Sequence, residues 1–127
     1  MMAVAADFRA VAQVLGTYFD GLYHSDTRAL ARVFHPKAQY VCVTDGTLLY
    51  RDMADYFPVV DARPAPASRG EQRRDEIVSI DFAGPVTARA VVRCAIGARH
   101  FTDFLTLVCL DGRWQVISKV FHYEEES

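Results

Sequence analysis

The sequence predicts an α+β domain in which helices pack against one face of an antiparallel sheet. The first third of the chain repeats its apolar residues at helical spacing, and the second half holds long alternating segments joined by two-residue turn signals. The chain has 127 residues, of which 51% are hydrophobic. This length and composition fit a single domain, residues 1–127, with a sizeable core.

Composition and charge argue against several classes of protein. A net charge of -2 disfavours nucleic acid as a partner, and no apolar run approaches the roughly 18 residues that a membrane span needs. The N-terminus lacks a signal-peptide pattern. Cys42, Cys94 and Cys109 show no CxxC spacing, so we interpret them as reduced, buried thiols of a cytoplasmic protein. Without a phosphate-binding glycine loop, a GxSxG elbow or a set of metal ligands, we expect no cofactor and no metal.

Two helices are predicted at the N-terminus. The first covers about residues 3–23, and the second is short, capped by Ser25 or Asp26 and ended by Pro36. The apolar residues of the first helix recur at steps of three and four, which places them on one stripe. They are Val4, Phe8, Val11, Leu15, Tyr18 and Leu22.

A small hairpin and a third helix follow. Asp45-Gly46 is a primed-turn dipeptide between strands at 40–44 and 47–50. Asp52 is the predicted N-cap of the third helix, in which Pro58 predicts a kink or an early stop. Residues 61–74 are then expected to form a surface loop.

Four strands complete the chain, at residues 76–82, 86–96, 99–110 and 113–123. Asp111-Gly112 predicts a two-residue turn, so residues whose numbers sum to 223 should lie opposite each other. Asp103 then faces Val120, and His122 faces Phe101. Asp103 and His122 become diagonal neighbours on one apolar face, about 7–8 Å apart at the backbone.

Asp103 and His122 are therefore the predicted catalytic residues. A carboxylate beside an imidazole in an apolar site can transfer protons near neutral pH. Two other interpretations stay open, namely that the pair contacts a ligand without chemistry, or that it forms a hydrogen bond that fixes the strand register.

Four further residues are predicted ligand contacts. The hydroxyl groups of Tyr18 and Tyr40 could orient a ligand in an apolar cavity, although a tyrosine in such a pattern is more often part of the core. Phe101 and Trp114 lie on the same predicted sheet face and would supply aromatic walls.

The opposite sheet face is expected to form a homodimer. It carries a mixed set of apolar and polar side chains, and a monomer would leave this patch exposed. Partial cover by a loop or by the tail is the alternative. The apolar members are Val91, Phe104, Val108, Ile117, Phe121 and Tyr123, and the polar members include Thr102, Gln115 and Lys119.

The order of elements and two short segments point to a known family. Phe34-His35-Pro36-Lys37-Ala38 follows the second helix, and the last hairpin reads Asp111-Gly112-Arg113-Trp114 and then Lys119-Val120-Phe121-His122. The chain resembles the nuclear transport factor 2-like superfamily, within it the small bacterial SnoaL-like and lumazine-binding-like branch. The resemblance implies a cystatin-like, cone-shaped α+β barrel in which a curved, mixed, mainly antiparallel sheet wraps around the N-terminal helices.

Three functions follow as expectations. The first is binding of a small apolar or aromatic molecule. The second, implied by the resemblance, is an isomerase, dehydratase or cyclase of the ketosteroid isomerase or polyketide cyclase type, with Asp103 and His122 as acid and base. The third is a protein-interaction module with a filled cavity. A cavity of about 300 Å³ or more would favour the first two, and a closed interior the third.

Overall fold

The computed structural model describes residues 2–126, with side chains from residue 7 onward. Two α-helices, two strands, a third α-helix and four further strands follow one another along the chain, and a short 3₁₀ helix lies at Pro66–Arg69. The helices are α1 (Met2–His24), α2 (Thr27–Val33) and α3 (Met53–Ala62). The strands are β1 (Phe34–Cys42), β2 (Leu49–Arg51), β3 (Glu76–Phe82), β4 (Thr87–Ile96), β5 (Arg99–Leu110) and β6 (Arg113–Glu125).

Helix α1 buries most of its predicted stripe. Val11, Leu15, Tyr18 and Leu22 lie in the core, as expected. The prediction is wrong for Phe8, which is exposed near the start of the helix. The side chain of Val4 lies outside the described residues.

The two N-terminal helices meet at a glycine. A Cβ atom on Gly21 would lie 2.6 Å from Cδ2 of Leu30, so only glycine allows this approach of α1 and α2. The Asp26 carboxylate caps α2 by accepting hydrogen bonds from the amides of Arg28 and Ala29, as predicted. Helix α2 ends at Val33, three residues before the proline that was expected to stop it.

Helix α3 begins as predicted but is longer than expected. The Asp52 carboxylate accepts a hydrogen bond from the amide of Asp55 at 2.9 Å. Pro58 does not end the helix, which continues to Ala62. A proline at this position deprives the carbonyl of Ala54 of its helical partner. Because Ala54 and Pro58 are both exposed, water can replace that hydrogen bond.

The six strands form one open, mixed sheet in the order β2-β1-β6-β5-β4-β3. Strands β1 and β6 pair in parallel, and the other neighbours pair in antiparallel fashion. Strands β2 and β3 are free edges, so the expected barrel is not closed. The three helices cover one face, which we call the inner face; the opposite face is the outer face.

The Asp111-Gly112 turn sets the register at the start of the last hairpin, as predicted. Asp111 and Gly112 adopt the positive φ values, 52° and 75°, that a type I′ turn requires. The predicted pairs summing to 223 hold from Leu110↔Arg113 to Leu107↔Val116. In the first hairpin, Cys42↔Leu49 has the register that Asp45-Gly46 predicts, but the primed turn itself is not formed, because Asp45 has no positive φ and the Gly46 amide donates a hydrogen bond to the Val43 carbonyl.

A β-bulge then changes the register of β5 and β6. Ile117 is an extra residue, and Thr106 lies opposite Ser118 instead of the expected partner. Asp103 therefore faces Phe121, and His122 faces Thr102. The prediction that Asp103 and His122 share one sheet face is wrong, because one inserted residue moves every later side chain of β6 to the other face.

The outer face differs from the expected one for the same reason. Lys119, Phe121 and Tyr123 were predicted there, but they lie on the inner face beyond the bulge. Val120 and Phe104 are paired on the outer face, where Phe104 is 62% exposed. Among the described helices, none is long and apolar enough to cross a membrane.

Candidate functional site

Asp103 is the centre of the candidate site. It lies in the middle of β5 and is completely buried, which the sequence predicted from its place among apolar residues of the inner face. The hydroxyl group of Tyr18, on α1, donates a hydrogen bond of 2.5 Å to Oδ2 of Asp103. The other carboxylate oxygen, Oδ1, is buried and accepts no hydrogen bond from any described residue. Asp103 therefore has one oxygen that is held in place and one that has no hydrogen-bond partner among the described residues.

Lys119 lies beside this carboxylate. It is 4% exposed, and its Nζ atom is 3.9 Å from Oδ2 of Asp103. The bulge at Ile117 places it there, because in an uninterrupted ladder Lys119 would lie opposite Phe104 and point to the outer face. The pair is thus a buried ammonium and carboxylate in close contact but beyond hydrogen-bond distance.

Four aromatic rings surround the Lys119 ammonium group. Nζ lies 5.0 to 5.7 Å from the ring centroids, which is the range in which a cation is attracted to the face of a ring. The rings belong to Tyr18, Tyr40, Tyr56 and Phe121. These contacts and the carboxylate replace part of the hydration that the ammonium group loses on burial.

The pKa shifts define the protonation states of this cluster. Burial raises the pKa of Tyr18 well above its usual value, and the charge of Asp103 raises it further. Burial alone would lower the pKa of Lys119, but its interactions with other groups, Asp103 first, outweigh this effect and raise it. Near neutral pH the cluster therefore contains a neutral phenol and an ammonium group.

A narrow cavity leads from Lys119 towards the surface. Its volume is about 10 Å³, which is close to the minimum for one water molecule. Tyr40, Tyr56, Arg63, Cys94, Phe101 and Lys119 are among the residues that line it. Burial raises the pKa of the Cys94 thiol to about 12, so Cys94 is an inert wall of the cavity.

The other predicted site residues fall into two groups. Tyr18, Tyr40 and Phe101 lie at the cluster or its cavity. Trp114 is buried elsewhere in the core, packed edge-on against Phe82 with the ring centroids 5.7 Å apart, and does not line this cavity. The prediction that Trp114 contacts a ligand in this cavity is not supported by its position.

His122 is separated from Asp103 by the sheet. Its side chain is 61% exposed on the outer face, and Nδ1 lies 2.8 Å from Oγ1 of Thr44. It lines an open groove of about 540 Å³ together with His100 and Arg93. The predicted Asp103–His122 pair is therefore not formed.

Lys119, Tyr56 and Arg63 were not identified as site residues from the sequence. One signal for Lys119 is present in β6, where the apolar pattern changes phase after the adjacent Val116 and Ile117. Without a bulge, Phe121 and Tyr123 would both be exposed. The change of phase that buries Phe121 and partly buries Tyr123 also buries Lys119, which lies between the bulge and Phe121.

The arrangement of helices on an open six-stranded sheet, with a polar cluster between the two layers, defines the class of protein. A nuclear transport factor 2-like protein from Shewanella baltica has a TM-score of 0.86 and 27% identity, over 96% of this chain and 97% of the other. A second, from Silicibacter pomeroyi, has a TM-score of 0.83 and 26% identity, over 95% and 98% of the two chains. Both are described as proteins of unknown function.

Sequence comparison then gives the family. Residues 6–122 match the family described as "Putative lumazine-binding", and the chain belongs to this family of the nuclear transport factor 2-like superfamily. The chain is also similar to the aldolase FrzH of Cladobotryum sp., with 23% identity over 122 residues, which are 93% of this chain and 92% of the relative. The predicted family and fold class are thereby confirmed.

Proposed function

We propose that the protein binds a small carbonyl compound in the inner cavity and transfers a proton at the carbon next to the carbonyl group. The observation that carries this proposal is the free Oδ1 of Asp103 beside the buried ammonium group of Lys119. A carboxylate that is desolvated and fixed through its other oxygen is suited to act as a general base.

The proposed step begins with a C–H bond of the α-carbon. Oδ1 of Asp103 takes the proton, and the electron pair of that bond moves into the bond between the α-carbon and the carbonyl carbon. The carbonyl oxygen becomes an enolate oxygen, and the Lys119 ammonium group stabilises its negative charge. In a conjugated enolate, return of the proton from Asp103 to the γ-carbon gives an isomer. Attack of the enolate carbon on a second carbonyl carbon instead forms a new C–C bond, and the resulting alkoxide oxygen takes the proton from Asp103.

Lys119 acts in this proposal as an electrostatic group and not as a nucleophile. A lysine that forms a Schiff base must lose its proton, and such lysines usually have a lowered pKa. The pKa of Lys119 is raised, mainly because the attraction of Asp103 outweighs the effect of burial. An ammonium group next to the site of reaction favours enolate formation without a covalent intermediate.

The similarity to an aldolase supports the same chemistry. Aldol addition by general-base catalysis passes through an enolate, and the relative covers nearly the whole length of this chain. At 23% identity, the similarity adds to the argument from Asp103 and Lys119 but does not replace it.

The protein-interaction module is the second candidate function, because the cavity of about 10 Å³ is almost filled by side chains. A ligand larger than water can enter only if side chains at the mouth, such as Arg63 or Phe101, move. A third candidate function is binding of a small apolar or aromatic molecule without proton transfer. The same experiment separates all three.

The test is exchange of α-protons with solvent deuterium. Simple ketones and oxo acids are incubated with the protein in D2O, and exchange is followed by NMR. We expect exchange with the wild-type protein and a loss of about 100-fold or more in Asp103→Asn, because removal of a general base typically costs a factor of 10² to 10⁴. The matched controls Asp45→Asn and Lys37→Met change an exposed carboxylate and an exposed lysine, and should exchange at the wild-type rate.

Three other results would contradict the proposed reaction. Undiminished exchange by Asp103→Asn would show that Asp103 is not the base. Binding of compounds without exchange would indicate a binding protein, and neither binding nor exchange across the panel would indicate an interaction module.

We also propose the cytoplasm as the compartment. The three cysteines are free, and Cys42 and Cys94 are buried, which supports the interpretation as reduced thiols.

A further inference from the structure

Arg63 lies at the mouth of the inner cavity. It is the C-cap of α3 and has the extended backbone, with φ −92° and ψ 145°, that the following Pro64 favours. The helix ends there, and the side chain forms part of the cavity lining together with Lys119.

Two nitrogen atoms of the Arg63 guanidinium group have no partner in the described part of the chain. Nε and Nη2 are buried and form no hydrogen bond. None of the ion pairs of the described residues includes Arg63. Buried donor atoms without a partner are costly to the fold, so these two nitrogen atoms require an explanation.

The two charged residues that line the cavity differ in their partners. Lys119 is paired with Asp103, whereas Arg63 belongs to no ion pair of the described residues. A single anionic group on a ligand would supply the partner that Arg63 lacks. A carboxylate carries one negative charge and matches the guanidinium fork with two parallel hydrogen bonds.

We propose that Arg63 binds the carboxylate of the ligand and that the ligands are small oxo acids. This inference rests on the proposed function for the orientation of the bound ligand. The carbonyl group of the ligand would point to Lys119, and its carboxylate would point to Arg63. Arg63 then determines specificity, because it would select acids over neutral carbonyl compounds of the same size.

The first test compares pyruvate with pyruvamide, which has the same shape but no charge. Three acids are tested at about 20 mM, namely pyruvate, 2-oxobutyrate and acetoacetate, and chloride at equal ionic strength is the reference. Each acid should raise the melting temperature of the protein by about 3 °C or more. Pyruvamide should raise it much less. Equal effects of pyruvate and pyruvamide, or no effect of any of the three acids, would overturn the inference.

The second test uses Arg63→Met, which keeps the apolar stem but removes the charge. The variant should lose about 10- to 100-fold in affinity for pyruvate, the range expected for charged hydrogen bonds, and should keep its weak response to pyruvamide. Arg28→Met is the matched control at an exposed arginine and should bind pyruvate like the wild type. Wild-type affinity of Arg63→Met for pyruvate would contradict the assignment.

Misfolding is excluded as an explanation by the ligand-free melting temperature. Arg63→Met removes an unpaired charge and should melt at or above the temperature of the wild type. Arg63→Lys, which keeps the charge without the fork, should recover only part of the affinity.

The inference and the proposed function can fail separately. If Arg63 is required for pyruvate binding but no deuterium exchange occurs, the carboxylate site stands and the proton transfer is wrong. If pyruvamide exchanges as fast as pyruvate and Arg63→Met changes neither rate, the proton transfer stands and the carboxylate site is wrong.

Discussion

At the scale of single residues, the candidate site depends on one ion pair in the core. Asp103 and Lys119 are almost completely inaccessible to water, and an ion pair at such a position rarely adds net stability compared with apolar side chains of the same volume. Its presence in the core therefore favours a role in binding or catalysis. Loss of one partner, however, leaves the other charge buried and unpaired, which lowers the free energy of unfolding. The pair can therefore be tested by measurements of stability.

Lys119→Met should destabilise the protein by about 3–5 kcal/mol at neutral pH, because Asp103 then remains buried without its cation. The measurement is the free energy of unfolding in urea. Lys37→Met, at the other lysine of the chain, serves as the control and should change the free energy of unfolding by less than about 0.5 kcal/mol. Wild-type stability of Lys119→Met would show that the pair contributes nothing to the folded state.

The stability difference should also depend on pH. The pKa of Lys119 is higher in the folded protein than in the unfolded chain, where it is about 10.4. Its contribution is therefore complete below about pH 10.4 and is lost as the pH rises towards the folded value. The raised pKa of Tyr18 also makes the protein less stable as the pH rises. Because Tyr18 is present in Lys119→Met as well, its contribution does not appear in the difference between the two proteins. A difference between the two proteins that stays constant from about pH 8 to 11.5 would contradict the ion pair.

At the scale of elements, two glycines of α1 behave differently. Gly16 has no atom within 4 Å of an added Cβ, whereas Gly21 lies against Leu30 of α2. Gly16→Ala should stabilise the protein by about 0.5–1 kcal/mol, because alanine has the higher helix propensity. Gly21→Ala should destabilise it by about 1–3 kcal/mol, because the methyl group forces the helices apart.

Thermal and urea unfolding of the two variants provide the comparison. Each serves as the control for the other, since both make the same substitution within one helix. Equal changes in the two proteins would mean that the contact between Gly21 and Leu30 does not limit the approach of the helices.

The elements also show how far the sequence predicts the fold. Local signals gave the caps at Asp26 and Asp52 and the turn at Asp111-Gly112, because each depends on residues that are close in the chain. They also placed Asp103 on the inner face. The partner of Asp103 was wrong, because the Asp111-Gly112 turn sets the register only as far as Val116, and the bulge at Ile117 shifts every later pair.

Arg63 was missed for a related reason. The sequence placed it in the surface loop at residues 61–74, which was predicted from the proline, serine and glycine residues of that segment. The helix instead continues to Ala62, and its last turn brings Arg63 to the mouth of the cavity. The exposure of Ala54 and Pro58, which lets the helix tolerate the proline, is a property of the packed molecule and not of the local sequence.

At the scale of the whole molecule, the outer face remains the proposed dimer interface. Phe104 and Val120 lie opposite each other on adjacent strands, and both are exposed in the single chain. Val91 lies next to Phe104 on β4 and extends the apolar patch. Apolar residues at the centre of a sheet face favour burial against a second copy of the same face.

Phe104→Glu should convert a dimer into a monomer, because two introduced carboxylates would meet near the centre of the interface. Sedimentation velocity at micromolar concentration measures the change. Leu48→Glu is the control, as Leu48 is 65% exposed in the loop between β1 and β2 and outside the patch. A wild-type protein that sediments only as a monomer would rule out this assembly.

The bulge in β6 decides which basic side chain approaches the acid in the interior. Lys119 faces inward with the bulge, whereas His122 would do so if the same residues paired in an uninterrupted ladder. A slip of one position in strand pairing would thus exchange a permanent cation for an imidazole, a group that titrates near neutrality, without any substitution in the cavity itself.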